Sequence, residues 1–338
     1  MTGNIMTGQS KSYEVVVVGG GIIGLSIARQ LAVRGTAVAV LEQARVGSGA
    51  SGAAAGMLAA QVETEEDGPF FDLQVKSRRL WREWAKLLTE ETGMQLGYRE
   101  EGIYRVAETE QEAEQLQERL AWQRNKGFGG EWLDGQALRA HLPVLCDDVH
   151  GALYVPDDHQ LDAVLAVEAL RRSVAKHGGK VLEGTPVLSL VRDGSRMIGV
   201  KTVGGVIHAE TVVLAGGMSV PLLLRPLGYQ LPLVPIRGTV CALYPHEPFL
   251  KQTLFGTGWY VTPKADGRLI VGATQEEGVN TREVTADALL TILERAGRML
   301  PDLQRLPFHS AWSGIRTGTP DRLPVIGPVP GIDGLFVA

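Results

Sequence analysis

The chain has 338 residues, with 33 Lys and Arg against 38 Asp and Glu and a formal net charge of −5 at pH 7. Basic and acidic residues are intermixed, so the composition excludes a basic face for nucleic acid and a polybasic membrane anchor, and favours small-molecule partners. Cys146 and Cys241 lie far apart in sequence, which excludes a disulfide framework and a CxxC metal site and is typical of a reducing compartment. A chain of this length is expected to form two domains.

The amino terminus is predicted to carry no targeting segment. Residues 1–12 are polar and lack the apolar stretch of a signal peptide. The apolar run Val15–Val18 that follows is far too short to span a bilayer. We therefore expect a cytoplasmic protein without a membrane partner.

The first predicted element is a buried strand that runs into a glycine-rich turn and a helix. The strand Val15–Val18 leads into Gly19-x-Gly21-x-x-Gly24, and the apolar spacing behind the glycines is helical. The first glycine permits the tight turn, the second lets the backbone approach a pyrophosphate, and the third lets helix and strand pack closely. The helix amino terminus directs N–H groups at the phosphates, so this segment predicts a dinucleotide site.

The second predicted strand, Thr36–Leu41, strengthens this prediction. It is followed by Glu42, an acid placed to accept hydrogen bonds from ribose hydroxyls. A carboxylate there would repel a 2′-phosphate, which disfavours NADP against FAD or NAD. The small-residue segment Val46–Leu58 comes next, and we expect a loop that lies against the cofactor and ends in a helical Ala-Ala-Ala-Gly-Met-Leu run.

The middle of the chain alternates between helical and strand patterns. A second buried strand, Thr211–Ala215, runs into Gly216 and Gly217 and repeats the pattern of the first site. Helices are predicted over Leu73–Thr92, Thr109–Lys126 (opened by a capping box of Thr109 with Glu112), Leu165–His177 and Thr285–Leu300. Further strands are predicted over Ala152–Val155, Val181–Leu182, Val187–Val191, Ile198–Val203 and Val206–His208.

From Leu231 onward the strands are expected to be antiparallel. They cover Pro235–Tyr244, Thr253–Pro263 and Arg268–Thr274, the last reached across an Asp266-Gly267 turn. The predicted fold class is α/β, with a Rossmann-like dinucleotide-binding domain interleaved with an α+β substrate domain built on an antiparallel sheet. The predicted cofactor domain covers 1–85, 145–225 and 310–338, and the predicted substrate domain covers 86–144 and 226–309.

With these pieces in place, the chain resembles the family of FAD-dependent D-amino acid and sarcosine oxidases, in particular its glycine-oxidising members of bacterial thiamine biosynthesis. The resemblance covers nearly the whole chain and is carried by residues 15–24, 49–58, 211–217, 259–274 and 311–327. The last two segments are the most specific, because other flavoproteins of the same fold share the first.

The resemblance implies non-covalently bound FAD, no metal, and a set of contacts. Arg316 would bind the substrate carboxylate with Tyr260 beside it, and Arg237 is a second, less specific candidate cation. The FAD contacts would be Gly19, Gly21, Ile22, Ile23 and Gly24 at the pyrophosphate, Glu42 and Gln43 at the ribose, Ala50 and Ser51 beyond them, Ala55, Gly56 and Met57 beside the isoalloxazine, and Val187 at the adenine.

The implied activity is oxidative deamination of glycine and similar small amines, such as sarcosine and D-amino acids. The products would be the imino or 2-oxo acid, ammonia and hydrogen peroxide, and iminoglycine would supply the thiazole of thiamine. Oxygen and a small amino acid are the implied partners, and a homo-oligomer such as a tetramer is the implied assembly. Alternatives within the family are a sarcosine oxidase and an amino acid dehydrogenase with another electron acceptor.

The chain departs from the family pattern in two places. Gly258 and Gln275 stand where some glycine-oxidising members have histidine and methionine, which predicts a roomier and more polar pocket. The sequence stops at Gly334–Ala338, where the family continues into a Gly-His-x-Arg-Asn-Gly loop and a closing helix. This end predicts either a fragment of a longer gene product or, as a further alternative, a flavin protein with weakened FAD affinity and little activity.

Overall fold

The computed structural model describes residues 12–338, so the prediction about a signal peptide falls almost wholly outside the described residues. Its helices are α1 Ile22–Val33, α2 Ala50–Ala53, α3 Ala60–Glu63, α4 Pro69–Thr92, α5 Glu110–Asn125, α6 Gly135–His141, α7 Ala163–Lys176, α8 Val220–Leu224 and α9 Ala286–Met299. Within residues 12–338, no helix combines the length and the apolar character needed to cross a bilayer.

The strands of residues 12–338 fall into three sheets. They are β1 Ser12–Val18, β2 Val38–Leu41, β3 Met57–Leu58, β4 Ile103–Ala107, β5 Glu131–Asp134, β6 Gly151–Val155, β7 His159–Gln160, β8 Lys180–Leu182, β9 Val187–Asp193, β10 Arg196–Thr202, β11 Gly205–Leu214, β12 Val234–Leu243, β13 Thr253–Gly256, β14 Trp259–Pro263, β15 Leu269–Gly272, β16 Glu276–Glu277, β17 Phe308–Gly318, β18 Gly327–Pro328 and β19 Leu335–Val337.

The first compact unit consists of described residues 12–52, 167–234 and 317–338. Its central path runs β18-β19-β11-β1-β2-β8, and β1 pairs in parallel with both β11 and β2. The Val15–Val18 run is buried, as expected for a central parallel strand that is covered on both faces. The α/β fold class, with a Rossmann-like cofactor domain, is confirmed.

The second compact unit consists of residues 53–166 and 235–316. Its sheet runs β16-β12-β15-β14-β13-β4-β6-β5, with β17 beside β12. The strands β16-β12-β15-β14-β13 and β4-β6-β5 pair in antiparallel fashion, and β13 pairs in parallel with β4. One face of this sheet packs on α9 through a cluster that includes Cys241, Val261, Val271 and Ile292.

The unit boundaries differ from the predicted domain boundaries. Segments 53–85, 145–166 and 310–316, predicted in the cofactor domain, belong to the second unit, and segment 226–234, predicted in the substrate domain, belongs to the first. The physical reason is that residues of the first two segments pack against, or pair as strands with, elements of the second unit. Phe71 at the start of α4 makes edge contacts with the rings of Trp122 and Phe128, and β6 pairs with β4 and β5.

Three predicted elements are wrong in detail. The expected helix over 53–58 is instead the end of α2 followed by β3, because Gly56 has a φ of +83° that breaks helical geometry. Residues 205–214 form one strand where two were predicted, and 253–263 form two strands joined by a turn where one was predicted.

The capping box predicted at α5 forms in modified form. Thr109 caps the helix by accepting a hydrogen bond from the amide of Glu112 at 3.2 Å. The Glu112 carboxylate accepts from the amide of Glu108 at 2.7 Å, one residue earlier than the reciprocal bond of the usual motif.

Candidate functional site

The glycine turn of the first unit is sterically closed. Gly19 has a φ of +113°, and a Cβ there would lie 2.5 Å from the carbonyl oxygen of Ala215 at the end of β11. A Cβ on Gly24 would lie 2.1 Å from the Gly19 carbonyl oxygen. Only glycine therefore fits at these two positions, whereas a Cβ on Gly21 would meet only Ser51 Oγ, at 3.1 Å.

Glu42 lies directly after β2 and fixes the turn. Its carboxylate accepts hydrogen bonds from the amides of Gly20 at 2.8 Å and Ala44 at 2.9 Å. Each carboxylate oxygen can accept more than one bond, so both remain able to receive ribose hydroxyls. Val187 begins β9 two residues after Thr185, whose amide bonds to the Glu42 carbonyl at 2.8 Å.

The segment after β2 folds back onto the amino terminus of α1. Ser51 Oγ accepts a hydrogen bond from the amide of Ile22 at 2.9 Å, and the Gly47 amide bonds to the Gly20 carbonyl at 3.0 Å. The first turn of α1 carries no acidic side chain, and Ile23 is 53% exposed there. The first unit thus brings together the predicted residues Gly19, Gly21, Ile22, Ile23, Gly24, Glu42, Gln43, Ala50 and Ser51.

This arrangement fits the adenosine diphosphate part of FAD. The tight glycine turn leaves backbone, not side chain, at the helix amino terminus, where a pyrophosphate is stabilised by N–H groups and the helix dipole. The Glu42 carboxylate at the end of the neighbouring parallel strand is the acceptor that ribose hydroxyls require. No His, Cys, Asp and Glu grouping able to hold a metal occurs in the described part of the chain.

The second unit carries a row of side chains across four paired strands. Arg105 pairs with Phe255, Phe255 with Tyr260, and Tyr260 with Gly272. Directly paired residues share one face of a sheet. The guanidinium of Arg105 lies 4.8 Å from the Phe255 ring centroid, and the Phe255 and Tyr260 rings stack at 6.4 Å. We call this face, with Val240 of β12 at its end, the tyrosine face.

Arg316 reaches the tyrosine face from β17. Its guanidinium donates to the Thr274 carbonyl at 3.1 Å and lies over Gly238, where a Cβ would be 2.4 Å from Nη1. Gly238 has the same facing as Val240, two residues along β12, and Val240 packs with Tyr260. The structure therefore places the two predicted substrate residues on one face, with the Arg316 side chain exposed to solvent.

Tyr260 remains a neutral hydrogen-bond donor at this site. Burial raises the pKa of its phenol well above the usual range, although the nearby positive charge of Arg316 acts in the opposite direction. A neutral phenol beside an exposed guanidinium is suited to binding a carboxylate.

The segment Ala53–Met57 lies across the tyrosine face. Ala55 packs in the Tyr260 cluster, with Met57 and Trp312 against it, and the Trp312 indole donates to the Ala53 carbonyl at 3.1 Å. A Cβ on Gly56 would lie 2.1 Å from the Leu161 carbonyl oxygen, so glycine is required there. The predicted residues Ala55, Gly56, Met57 and Tyr260 are thus brought together.

Lys264 holds this segment in place, and the sequence analysis did not predict a role for it. Its ammonium is buried and donates to the Ala55 carbonyl, to Gln160 Oε1 at 2.8 Å and to the Leu161 carbonyl at 2.9 Å. Burial lowers the pKa of Lys264 to about 8. The sequence Tyr-x-x-Pro-Lys carries no local signal that its lysine is buried, because lysine side chains are usually exposed.

Arg237 is a different case from Arg316. It alternates with Gly238 along β12 and therefore points to the opposite face of the sheet. There it forms a two-bond ion pair with Glu276, at 2.6 and 3.0 Å, and lowers the pKa of that carboxylate. Arg237, predicted as a second cation near the flavin or the substrate, is thus paired with a carboxylate on the face opposite to Arg316.

A family model and individual relatives of known sequence agree with one another. The family model for FAD dependent oxidoreductases of the DAO type matches residues 14–338. Glycine oxidase of Geobacillus kaustophilus is 38% identical over 328 residues, covering 96% of this chain and 87% of that protein. The bifunctional protein ThiO/ThiG of Synechocystis is 36% identical, covering 96% of this chain and 48% of that protein.

Solved structures agree with the sequence comparison. The crystal structure of glycine oxidase from Geobacillus kaustophilus superposes with a TM-score of 0.94 at 37% identity, covering 97% of this chain and 89% of that chain. The similarity therefore extends over both compact units.

Proposed function

Because the chain belongs to the DAO family of FAD-dependent oxidoreductases, we propose that it oxidises glycine and similar small amines to the imino acid, with oxygen as the electron acceptor. The observation that carries this proposal is the pairing of exposed Arg316 with neutral, buried Tyr260 on one face of the second unit. Relatives named glycine oxidase support glycine as the first substrate to test.

The residues would act mainly by positioning. Arg316 can bind a substrate carboxylate through two parallel charge-assisted hydrogen bonds, and Tyr260 can add a third. Fixing the carboxylate at one end of a two-carbon substrate also fixes the orientation of its Cα. FAD, when bound, supplies the hydride acceptor, and water hydrolyses the released imino acid to the 2-oxo acid and ammonia.

The cofactor contacts proposed in the first unit are Gly19, Gly21, Ile22, Ile23, Gly24, Glu42, Gln43, Ala50, Ser51 and Val187. In the second unit we propose Ala55, Gly56 and Met57 as contacts of the isoalloxazine. The closed glycine turn and the covered tyrosine face support these two sets respectively.

Three further features belong to this proposal. The relation to ThiO/ThiG proteins supports a role in supplying iminoglycine for the thiazole of thiamine. The two free cysteines support a cytoplasmic setting. A homo-oligomer such as a tetramer is proposed from the family resemblance, and its molar mass in solution would be measured by light scattering.

The test is the visible spectrum of the FAD-loaded protein, recorded without oxygen before and after addition of glycine, sarcosine or D-alanine. Bleaching by glycine, followed by recovery and hydrogen peroxide formation in air, is the expected result. Recovery only with an artificial acceptor would favour the dehydrogenase alternative. A flavin spectrum that none of the three amines changes would refute the proposal.

A matched pair of variants tests the carrying observation. Replacing Arg316→Gln removes about 2 to 3 kcal/mol of charged hydrogen bonding, so the glycine concentration for half-maximal bleaching should rise roughly 30- to 150-fold. The control is Arg305→Gln, at a residue that is 84% exposed and paired with Asp302. It should leave the glycine concentration for half-maximal bleaching unchanged.

A further inference from the structure

We propose that Glu63 binds the ammonium group of the substrate and so selects amino acids over the corresponding hydroxy acids. This inference rests on the proposed function, because it assigns the amine end of the substrate whose carboxylate end is assigned to Arg316. Glu63 is the last residue of α3 and lies outside every motif that the sequence analysis singled out.

The position of α3 places Glu63 over the tyrosine face. Val62 and Ala59 pack with Ile103 and Ala107 of β4. These two strand residues alternate in step with Arg105, so α3 covers the same face of the sheet that carries the row of Arg105, Phe255 and Tyr260. The short helix therefore lies over the Arg105 end of this face, and Glu63 is near enough to Arg105, Arg316 and Tyr260 to interact with them electrostatically.

An unusually complete polar network holds the backbone of α3. The Asp158 carboxylate is buried and accepts from the amides of Gln61 at 3.0 Å and Val62 at 2.9 Å. The carbonyls of the same two residues accept from Gln123 at 2.9 Å and from Arg119 at 2.6 Å. A four-residue helix has little stability of its own, so these bonds fix its direction and the backbone position of its last residue.

The arginines that hold α3 are engaged elsewhere and do not pair with Glu63. Arg78 bonds both Asp158 and the Gln61 side chain, at 2.9 Å to the latter, and Arg119 is engaged at the Val62 carbonyl. Among residues 12–338, the Glu63 carboxylate has no hydrogen bond or ion pair, and its side chain is open to solvent. A carboxylate on a fixed backbone and without a protein partner is available to a ligand.

The charges around Glu63 have the polarity that a zwitterion requires. Arg316 and Arg105 lie close enough to lower the pKa of Glu63, and Asp158 close enough to raise it. Desolvation by the surrounding protein atoms has the largest effect, so the pKa of Glu63 is raised to about 7. With Tyr260 neutral, the face offers a cationic group for a carboxylate and an anionic group for an ammonium.

The experiment compares a ligand with an ammonium against one without. Glycine binding is followed by the half-maximal concentration for flavin bleaching, and glycolate binding by its competition with glycine. In Glu63→Gln, glycine should bind about tenfold or more weakly because a charged hydrogen bond is lost. Glycolate should bind equally well or more tightly, because repulsion between two carboxylates is removed.

Three controls separate ligand binding from structural damage. Glu63→Asp keeps the charge and should recover much of the glycine affinity. Glu66→Gln, at an exposed position just beyond α3, should leave both ligands unchanged. The dissociation constant of FAD should be the same in all variants.

The pH profile supplies an independent readout. Glycine binding needs ionised Glu63, so kcat/KM of the wild type should fall as the pH drops below about 7. The groups facing Glu63 are Asp158, Arg105, Arg316 and Tyr260, and the two arginines stay charged across this range. In Glu63→Gln the acid limb should move to lower pH.

The possible results are distinct. Equal weakening of glycine and glycolate, or no change in either, with an active wild type overturns the inference but leaves the proposed function standing. A wild type whose flavin no amine reduces overturns both.

Discussion

Because the ammonium of Lys264 is buried, the free energy of unfolding of this protein should change with pH in the alkaline range. Its side chain is 6% exposed, and its three acceptors are the Ala55 carbonyl, the Gln160 amide oxygen and the Leu161 carbonyl. None of the three is a carboxylate, so burial dominates and lowers the pKa from 10.5 to about 8. The unfolded chain therefore binds more protons than the folded chain between these two values.

The sign and size follow from proton linkage. A lysine whose pKa falls on folding opposes folding most at low pH, and this opposition disappears as the pH rises through the window from about 8 to 10.5. Between about pH 7 and about pH 9.5 the linkage relation gives a gain of about 2 kcal/mol in unfolding free energy from this one group. Lys264→Met removes the gain.

The assay is urea unfolding of the wild type and of Lys264→Met at both pH values, with unfolding free energies obtained by linear extrapolation. The difference between the two proteins should move by about 2 kcal/mol in favour of the wild type as the pH rises. Lys251→Met, at an exposed lysine of the same unit, is the control and should leave the pH dependence unchanged. Parallel pH dependences in wild type and Lys264→Met would refute the reasoning.

Three further predictions concern steric closure and the buried network. Gly19→Ala places a Cβ 2.5 Å from a backbone carbonyl at a φ of +113°, so the FAD dissociation constant, measured by titration of the cofactor-free protein, should rise about tenfold or more; an unchanged constant would contradict a closed turn. Gly238→Ala would displace the Arg316 guanidinium and should raise the KM for glycine without changing FAD affinity, and the opposite pattern would place Arg316 in cofactor binding. Asp158→Asn leaves Arg78 buried without its carboxylate and should lower the unfolding free energy by about 3 kcal/mol in a denaturant titration, whereas a loss near zero would show that the network is not stabilising.

Some predictions succeeded because their signals are local. The capped start of α5 depends only on the hydrogen bond of Thr109 to the Glu112 amide, three residues away. The helix predicted over 53–58 failed because the propensity of alanine was overridden at Gly56. Its left-handed backbone accepts a hydrogen bond from the distant Leu161 amide at 2.9 Å and leaves no room for a Cβ. The ion pair of Arg237 with Glu276 cannot be read from either residue alone.

The sequence by itself determined the glycine turn after β1 and the acid at the end of β2, and family resemblance predicted Tyr260 and Arg316 as substrate residues. Turn glycines and strand periodicity are dictated by backbone sterics within a few residues, so they are legible without a fold. Only the tertiary structure decided which residues share the tyrosine face, because the registers of β4, β13 and β14 bring Arg105 and Tyr260 into one row from 155 positions apart. The same holds for Glu63 and Lys264. Residues of these types are usually exposed, and only the distant segments packed around them set their surroundings and the pKa of each side chain.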